Sequence, residues 1–276
     1  MVLAAVFIAP HGAIVLDANS SHSDGRFELN IAMKKIANSI KEVNPDVILA
    51  TSPHGISLNY DYGIYFNESA RGTAEWDGLY TEYKVDVKID LQFADELVKY
   101  LKDNHCNVSK ITAYSPKESI PLRWGEAVPL WFLKDLSCIS YIFLSQPQRR
   151  IFFEEDFISD TRIFGKHIGK FIRSHEKKIV VLISADLAHT HLKDGPYGWY
   201  KEAELFDEMI ESWIQEYENY ELWQKINSSQ SKALCCGLTG FILLQGILSD
   251  IKAKSSILVR KVPTYYGMMV ASFFPE

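Results

Sequence analysis

The sequence predicts an α/β fold: a single domain with a central, largely parallel mixed sheet flanked by helices. Short apolar runs rich in Val and Ile recur along the chain, among them "LAAVFIAP", "VILATSP" and "IVVLISAD". Such runs, bounded by Pro, Gly, Ser or Asp, read as buried strands. Between them lie stretches whose apolar residues fall at helical spacing. Strands that alternate with helices pair in parallel, through crossovers that lay helices on the faces of the sheet. No Pro-, Gly- or Ser-rich linker divides residues 1–276, so one domain is expected. The third observation concerns a site. Ligands of open α/β sheets bind outside the carboxyl ends of the strands, and three of these runs each deliver a histidine there: His11, His54 and His189.

In chain order, the first strand covers about Val2 to Ala9 and is stopped by Pro10, which cannot donate to a ladder. A helix follows at about Phe27 to Val43, with Leu29, Met33, Ile36, Ile40 and Val43 on one stripe. "NPD" ends it, and a second strand runs from about Val47 to Thr51. Residues 60–90 alternate apolar and polar with Gly turns, which suits strands and excursions. Asp90 is placed to cap a helix reaching Asn104, with Phe93, Leu97, Val98 and Leu101 inward. "AVPLWFL" reads as a buried segment and "SCISYIFLSQP", from Ser137, as a strand. An amphipathic helix then spans about Glu154 to His175, its inner face holding Phe157, Phe164, Ile168 and Phe171. "IVVLISADL" is a central strand, and the loop "HTHLKDGPYGWY" leads to a helix at about Glu202 to Tyr217. "ALCCGLTGFILLQGIL" reads as a buried helix that carries both cysteines, and "SILVRKVP" and "YYGMMVASFF" close the chain as strands.

Composition excludes several classes. The net charge of −6 argues against nucleic acid as a partner, since phosphate binding needs clustered Lys and Arg. The longest apolar stretch holds three glycines and a Gln and is shorter than the ~20 residues that span a bilayer, so no membrane partner is expected. The four cysteines, Cys106, Cys138, Cys235 and Cys236, show no Cys-x-x-Cys spacing. The N-terminus lacks a basic secretory n-region. Together these imply a reducing, cytoplasmic setting. A homo-oligomer is left open.

The candidate site residues follow from the strand ends. His11 and His54 stand in the same tripeptide, Pro-His-Gly, which stopping a strand does not by itself require. Neutral imidazole is the commonest metal-binding side chain, and two His with one carboxylate would suit non-haem Fe(II). Asp186 is either a turn former or a carboxylate that orients an imidazole. Cys236, ahead of Gly237, is either inert packing or a thiolate facing a metal. If both cysteines are helical they point about 100° apart, so only one faces a metal squarely. His191 reads as an exposed loop residue. Trp124, Tyr197 and Trp199 either line an aromatic pocket or belong to the core.

At these residues the chain resembles the class III extradiol dioxygenases, the family of the catalytic subunit of protocatechuate 4,5-dioxygenase, and is most similar to its Memo-like branch. The stretches concerned are "VFIAPHGAIVLD", "VNPDVILATSPHG", "VVLISADLAH", "DGPYGWYKEAELFDEMI", "LCCGLTGFILLQGIL" and "YYGMMVA". The resemblance implies one mononuclear metal held by His11 and His54, with His189 as acid/base residue. Asp186, as an orienting carboxylate, is expected in the catalytic set with it. Fe(II) is the expected ion, with Zn(II) or another divalent metal as the alternative. Where the dioxygenases use a Glu as third ligand, the matching region here offers Cys236, as in Memo-like proteins. Many relatives carry Asp-His-Gly where this chain has Arg123-Trp124-Gly125, with Glu126 as a nearby polar group. Trp124, Glu126, Tyr197 and Trp199 are the expected substrate contacts. The expected function is extradiol cleavage of a small catecholic ring with O2, as in aromatic compound catabolism. The alternatives are a Memo-like metal- or peptide-binding protein without ring cleavage, and a metal-dependent enzyme of other chemistry.

Overall fold

The first strand, β1 (Leu3–Ala9), is apolar at every position because both of its faces are covered. Val6 and Ile8 point into one hydrophobic layer, Phe7 and Ala9 into the other. The same division holds for β2 (Val47–Ser52) and β9 (Ile179–Ser184), where Leu49 and Val181 face one layer and Ile48 and Leu182 the other. Continuous apolar runs of this kind mark parallel strands sandwiched between helices. The structure is a computed structural model that describes residues 3–136, 138–148, 156–217, 223 and 230–276. Val2, Ser137 and Glu154, where three expected elements begin, lie outside the described residues.

Among the described residues the main sheet holds eight strands, in the order β10, β11, β1, β9, β2, β8, β3, β6. The four in its middle, β1, β9, β2 and β8 (Ser140–Ser145), are parallel. On one side β11 (Met268–Pro275) runs antiparallel to β1 and is followed by β10 (Ala253–Lys261). On the other, β3 (Tyr62–Tyr65) is antiparallel to β8 and parallel to β6 (Val108–Ile111). A second sheet joins β4 (Ser69–Thr73), β5 (Lys84–Lys88) and β7 (Ser119–Leu122). This is the mixed, centrally parallel α/β sheet that the sequence predicts.

The helices fill the two layers. α1 (Arg26–Val43) and α3 (Trp124–Trp131) cover one face, with the small sheet beside them. α2 (Leu91–Asp103), α4 (Phe157–Ser174), α5 (Glu202–Gln215) and α6 (Leu238–Ile247) cover the other. Asp90 caps α2 by accepting the Phe93 N–H at 3.0 Å. The segment "AVPLWFL", left without a type by its sequence, begins inside α3 and contains Pro129. A proline lacks the N–H that would bond the carbonyl four residues back, so the Gly125 carbonyl is released for another partner.

The cysteines are not on a helix. Cys235 and Cys236 occupy the turn before α6, which starts at Leu238, after Leu234 has taken a left-handed conformation (φ 52°). α6 is buried all round, and its close neighbour is α4. The two approach backbone to backbone through Gly165, Gly169 and Gly246. A Cβ on Gly246 would meet the Arg162 carbonyl oxygen, and one on Gly165 the Leu243 carbonyl oxygen. Backbone atoms cannot swing aside as side chains do, so Gly246→Ala is expected to lower stability by about 1–3 kcal/mol, the cost typical of overpacking. A urea denaturation midpoint equal to that of the wild type would contradict this packing.

Candidate metal centre

β9 lies between β1 and β2, and all three run the same way, so their carboxyl ends open on one edge. Pro10 and Pro53 end the outer two strands, and His11 and His54 follow. Neighbouring strands stand roughly 4.8 Å apart, so the two outer ends are separated by about twice that. The imidazoles lean over the end of β9 and meet edge to face, with ring centroids 4.8 Å apart.

The protonation of His11 follows from its partners. The Ser184 hydroxyl donates its single hydrogen to the Gly125 carbonyl, the group that Pro129 leaves free. Its oxygen can therefore only accept from His11 Nδ1, 3.0 Å away. A neutral ring has one N–H, so Nε2 is left with a lone pair. Burial drives the His11 pKa down to about 3, with further help from His189. Burial likewise lowers His54 to about 3, aided by His11, His189 and Arg123.

The bare Nε2 has Cys236 Sγ at 3.4 Å and Asp186 Oδ2 at 3.2 Å. The ligand atoms of His11, His54 and Cys236 all lie within 4.8 Å of one another. Bonds of about 2.0–2.3 Å place two ligands of a tetrahedral ion roughly 3.4–3.7 Å apart. The His11–Cys236 pair is already at that spacing, and the others need to close by at most about 1.5 Å. Lone pairs converging on one point, with the imidazole proton committed elsewhere, fit a divalent cation. Asp186 is fully buried and takes the His11 N–H at 3.1 Å and the Gly12 N–H on its carboxylate. Burial pushes its pKa up to about 6, against the pull of His189. Burial, then Asp186, pushes the Cys236 thiol up. Cys235 turns the other way, is buried, and donates to the Asp186 carbonyl at 3.3 Å.

His189 stands beyond β9. Its Nδ1 lies 2.9 Å from the Leu187 carbonyl, which can only accept, so Nε2 is free to act as a base. Burial lowers its pKa, with Asp186 pulling the other way. The loop that carries it is pinned by Asp207, which is fully buried. Asp207 accepts the Ala188 N–H at 2.9 Å, and its other oxygen lies 2.8 Å from His191 Nε2. His191 is therefore not the exposed loop residue its sequence suggests: its side chain is 8 % exposed, drawn inward by a carboxylate on α5. Asp207 is the positioning residue that sequence reasoning misses, although "FD" is part of the motif that follows "DGPYG".

The expected substrate contacts separate. Trp124 is half-exposed and stacks on His54 at 5.0 Å between ring centroids, with Arg123 over its ring. Tyr197 is exposed, 6.3 Å from His189 between ring centroids. Glu126 points inward with both oxygens engaged, accepting from the Tyr65 hydroxyl at 2.6 Å and the Arg123 N–H at 2.7 Å. Trp199 is exposed and pairs with His191 as an isolated β-bridge. Among the described residues no ring contact ties Trp199 to the histidines.

These features define an α/β protein with a His/His/Cys site of metal-binding geometry at the carboxyl edge of its parallel strands. The chain belongs to the family described as the catalytic LigB subunit of aromatic ring-opening dioxygenase, which it matches over residues 5–273. It is similar to Protein CA_C1420 of Clostridium acetobutylicum, at 21% identity over 94% of this chain and 54% of that protein. It thus spans about half the length of that curated relative. In structure it resembles the uncharacterized protein JW3007 from Escherichia coli K12, with a TM-score of 0.58 and 14% identity over 98% of this chain and 99% of that one, a likeness of fold. No helix among the described residues is long and apolar enough to cross a membrane.

Two outcomes test the electrostatics. Below about pH 6.5 the unfolded chain protonates its histidines while folded His11 and His54 stay neutral. Their contribution to stability is thus complete above that pH and drains away as pH falls toward about 3. Asp186 has the opposite sign: its contribution is present below 3.8 and is lost as pH rises through about 6. In the metal-free protein the NMR signals of both rings should stay in the neutral form at about pH 5, and titration near 6.5 would refute the assignment. Because the imidazoles are already neutral and the thiol is not ionised, binding of Zn(II) at neutral pH should release about one proton, from Cys236. Indicator titration in weak buffer measures it, and Cys236→Ala should abolish the release.

Proposed function

We propose that the protein is a metal-dependent dioxygenase that opens the ring of a small aromatic vicinal diol with O2. The observation that carries the reading is the neutral base His189, lone pair free on Nε2, at the end of the strand that separates His11 from His54. Membership of the ring-opening family supplies the substrate class.

In this reading His11, His54 and Cys236 hold a divalent ion, Fe(II) for this chemistry. When bound, that ion supplies Lewis acidity toward the diol oxygens and access to O2. His189 takes a hydroxyl proton on Nε2, and its lowered pKa keeps it unprotonated and ready at neutral pH. The resulting imidazolium is stabilised by the Asp186 carboxylate and can return the proton as the ring opens. Trp124 and Tyr197 offer half-exposed aromatic faces at the mouth, suited to stacking on a flat ring. Asp207, through Ala188 and His191, holds the loop so that His189 keeps its place.

Cys236 favours a second reading. A thiolate is softer than the carboxylate of the usual two-His-one-carboxylate iron site and suits Zn(II) or redox use. The protein would then bind a metal and a small ligand or peptide without cleaving a ring. Preparation with Fe(II) under anaerobic conditions, followed by exposure to catechols and O2, separates the two. Ring opening consumes O2 and diol in equal amounts and yields a conjugated product with new near-ultraviolet or visible absorption. His189→Gln should retain the iron and lower turnover by roughly 10²–10⁴-fold, the usual contribution of a positioned acid or base. Iron and diol both bound with no O2 consumed would support the second reading, and iron lost from His189→Gln would make His189 a ligand.

A further inference from the structure

The C-terminal strand brings two tyrosines back over the site. β11 runs antiparallel to β1, with Ile8 opposite Ala271 and Phe7 opposite Ser272. The residues that precede β11 therefore arrive where β1 ends, beside His11. Backbone bonds fasten them there: the Leu187 N–H donates to the Gly267 carbonyl at 2.8 Å, the Gly267 N–H to the Ala188 carbonyl at 2.9 Å, and the His191 N–H to the Tyr265 carbonyl at 3.1 Å. The tyrosine pair and the His189 loop form one assembly.

Tyr266 links the two halves of the site. Its ring stacks on His189, with centroids 5.2 Å apart and planes 18° from parallel. Its hydroxyl reaches the residue after His11: a Cβ on Gly12 would collide with the phenol oxygen and the ring carbon next to it. Gly12 has φ −62° and ψ 125°, which any residue adopts, so its glycine is needed for space. The second Pro-His-Gly uses its glycine alike, since a Cβ on Gly55 would meet the Tyr65 hydroxyl at 2.5 Å. The two phenols differ in their partners. Tyr65 spends its hydrogen on Glu126, whereas the Tyr266 hydroxyl has the Thr264 side chain as a partner that favours the phenolate, which makes Thr264 the donor and leaves the Tyr266 hydrogen uncommitted. Burial and the nearby Asp186 hold the Tyr266 phenol protonated, so it remains a donor.

We infer that Tyr266 is a further ligand-contacting residue, donating its phenol hydrogen to the anionic atom of whatever binds on the open side of the His11–His54–Cys236 site. The placement carries this: the phenol hydrogen is uncommitted, and the hydroxyl lies against the loop of one metal-site histidine and is backed by the base. For a catecholate the acceptor is a diol oxygen, and that part rests on the ring-opening reading. The donor itself does not, since any anion seated there meets the same hydroxyl.

The test uses protein loaded with Co(II), whose visible spectrum reports ligand exchange, and two probes without O2: azide and 4-nitrocatechol. Tyr266→Phe should keep its ion and its thermal midpoint and bind both probes roughly ten- to a hundredfold more weakly, the size of one hydrogen bond to a charged partner. Tyr265→Phe, whose hydroxyl the Gly12 contact does not involve, should bind as the wild type does. Equal affinity in Tyr266→Phe and wild type overturns the inference. So does an equal loss in both variants, or loss of the ion from Tyr266→Phe, which would make the tyrosine a packing residue. A wild type that takes azide but not 4-nitrocatechol refutes the ring-opening reading, and the azide comparison then decides Tyr266 by itself.

Discussion

The hydroxyl of Ser184 is the joint on which the site turns. It ends β9, donates to the Gly125 carbonyl and accepts from His11 Nδ1. Three segments distant in sequence meet in those two bonds. The Gly125 carbonyl is available because Pro129, four residues on, has no N–H to offer it. A proline inside a short helix thus leaves an acceptor unmatched, a serine takes it up, and the serine's remaining capacity fixes which nitrogen of His11 carries the proton. Orientation of a metal-site imidazole by a partner on its other nitrogen is a general device. Here the partner is a neutral hydroxyl, so the imidazole gains direction without added negative charge.

Desolvation is the largest influence on the charge state of the site. It lowers His11, His54 and His189 and raises Asp186 and Cys236. Every group is moved toward its neutral form, as expected where water is excluded. Buried carboxylates persist in such a place only when hydrogen-bonded. Asp186 has the backbone N–H groups of His11 and Gly12, and Asp207 has Ala188 and His191. A divalent ion would reverse the balance at the thiol and carboxylate, because its own charge becomes the largest in the neighbourhood.

Packing remote from the site places Cys236. α6 is apolar on all sides and lies against α4 through glycines, so its position is set by backbone contact. The turn that precedes it then has little freedom. The Gly237 N–H donates to the Asp186 carbonyl at 3.2 Å, and Cys235 Sγ donates to the same oxygen at 3.3 Å. With Cys235 held behind β9, Cys236 emerges toward His11. The chain from sequence to site runs through small residues that permit a close approach, then a fixed turn, then a thiol 3.4 Å from His11 Nε2.

The sequence by itself determined the layered α/β architecture, because strands buried on both faces must be apolar throughout and helices that cover them must be apolar on a stripe. It also determined that His11, His54 and His189 leave strands at one edge, since proline and glycine stop strands locally. It could not order those strands. That β9 lies between β1 and β2 depends on crossovers whose closure no local pattern encodes, and only that order sets His189 and Asp186 between the two histidines. The turn at Cys235 and Cys236 was hidden because an apolar run bears no mark of where its helix begins. His191 reads as exposed because its partner, Asp207, is on another element and meets it only in the folded chain. Tyr266 was equally silent: a tyrosine before a terminal strand has no chemical label until antiparallel pairing lays it over Gly12. Local backbone rules act within a few residues and can be read directly, whereas the groups that charge, orient and crowd the site are brought together by long-range packing.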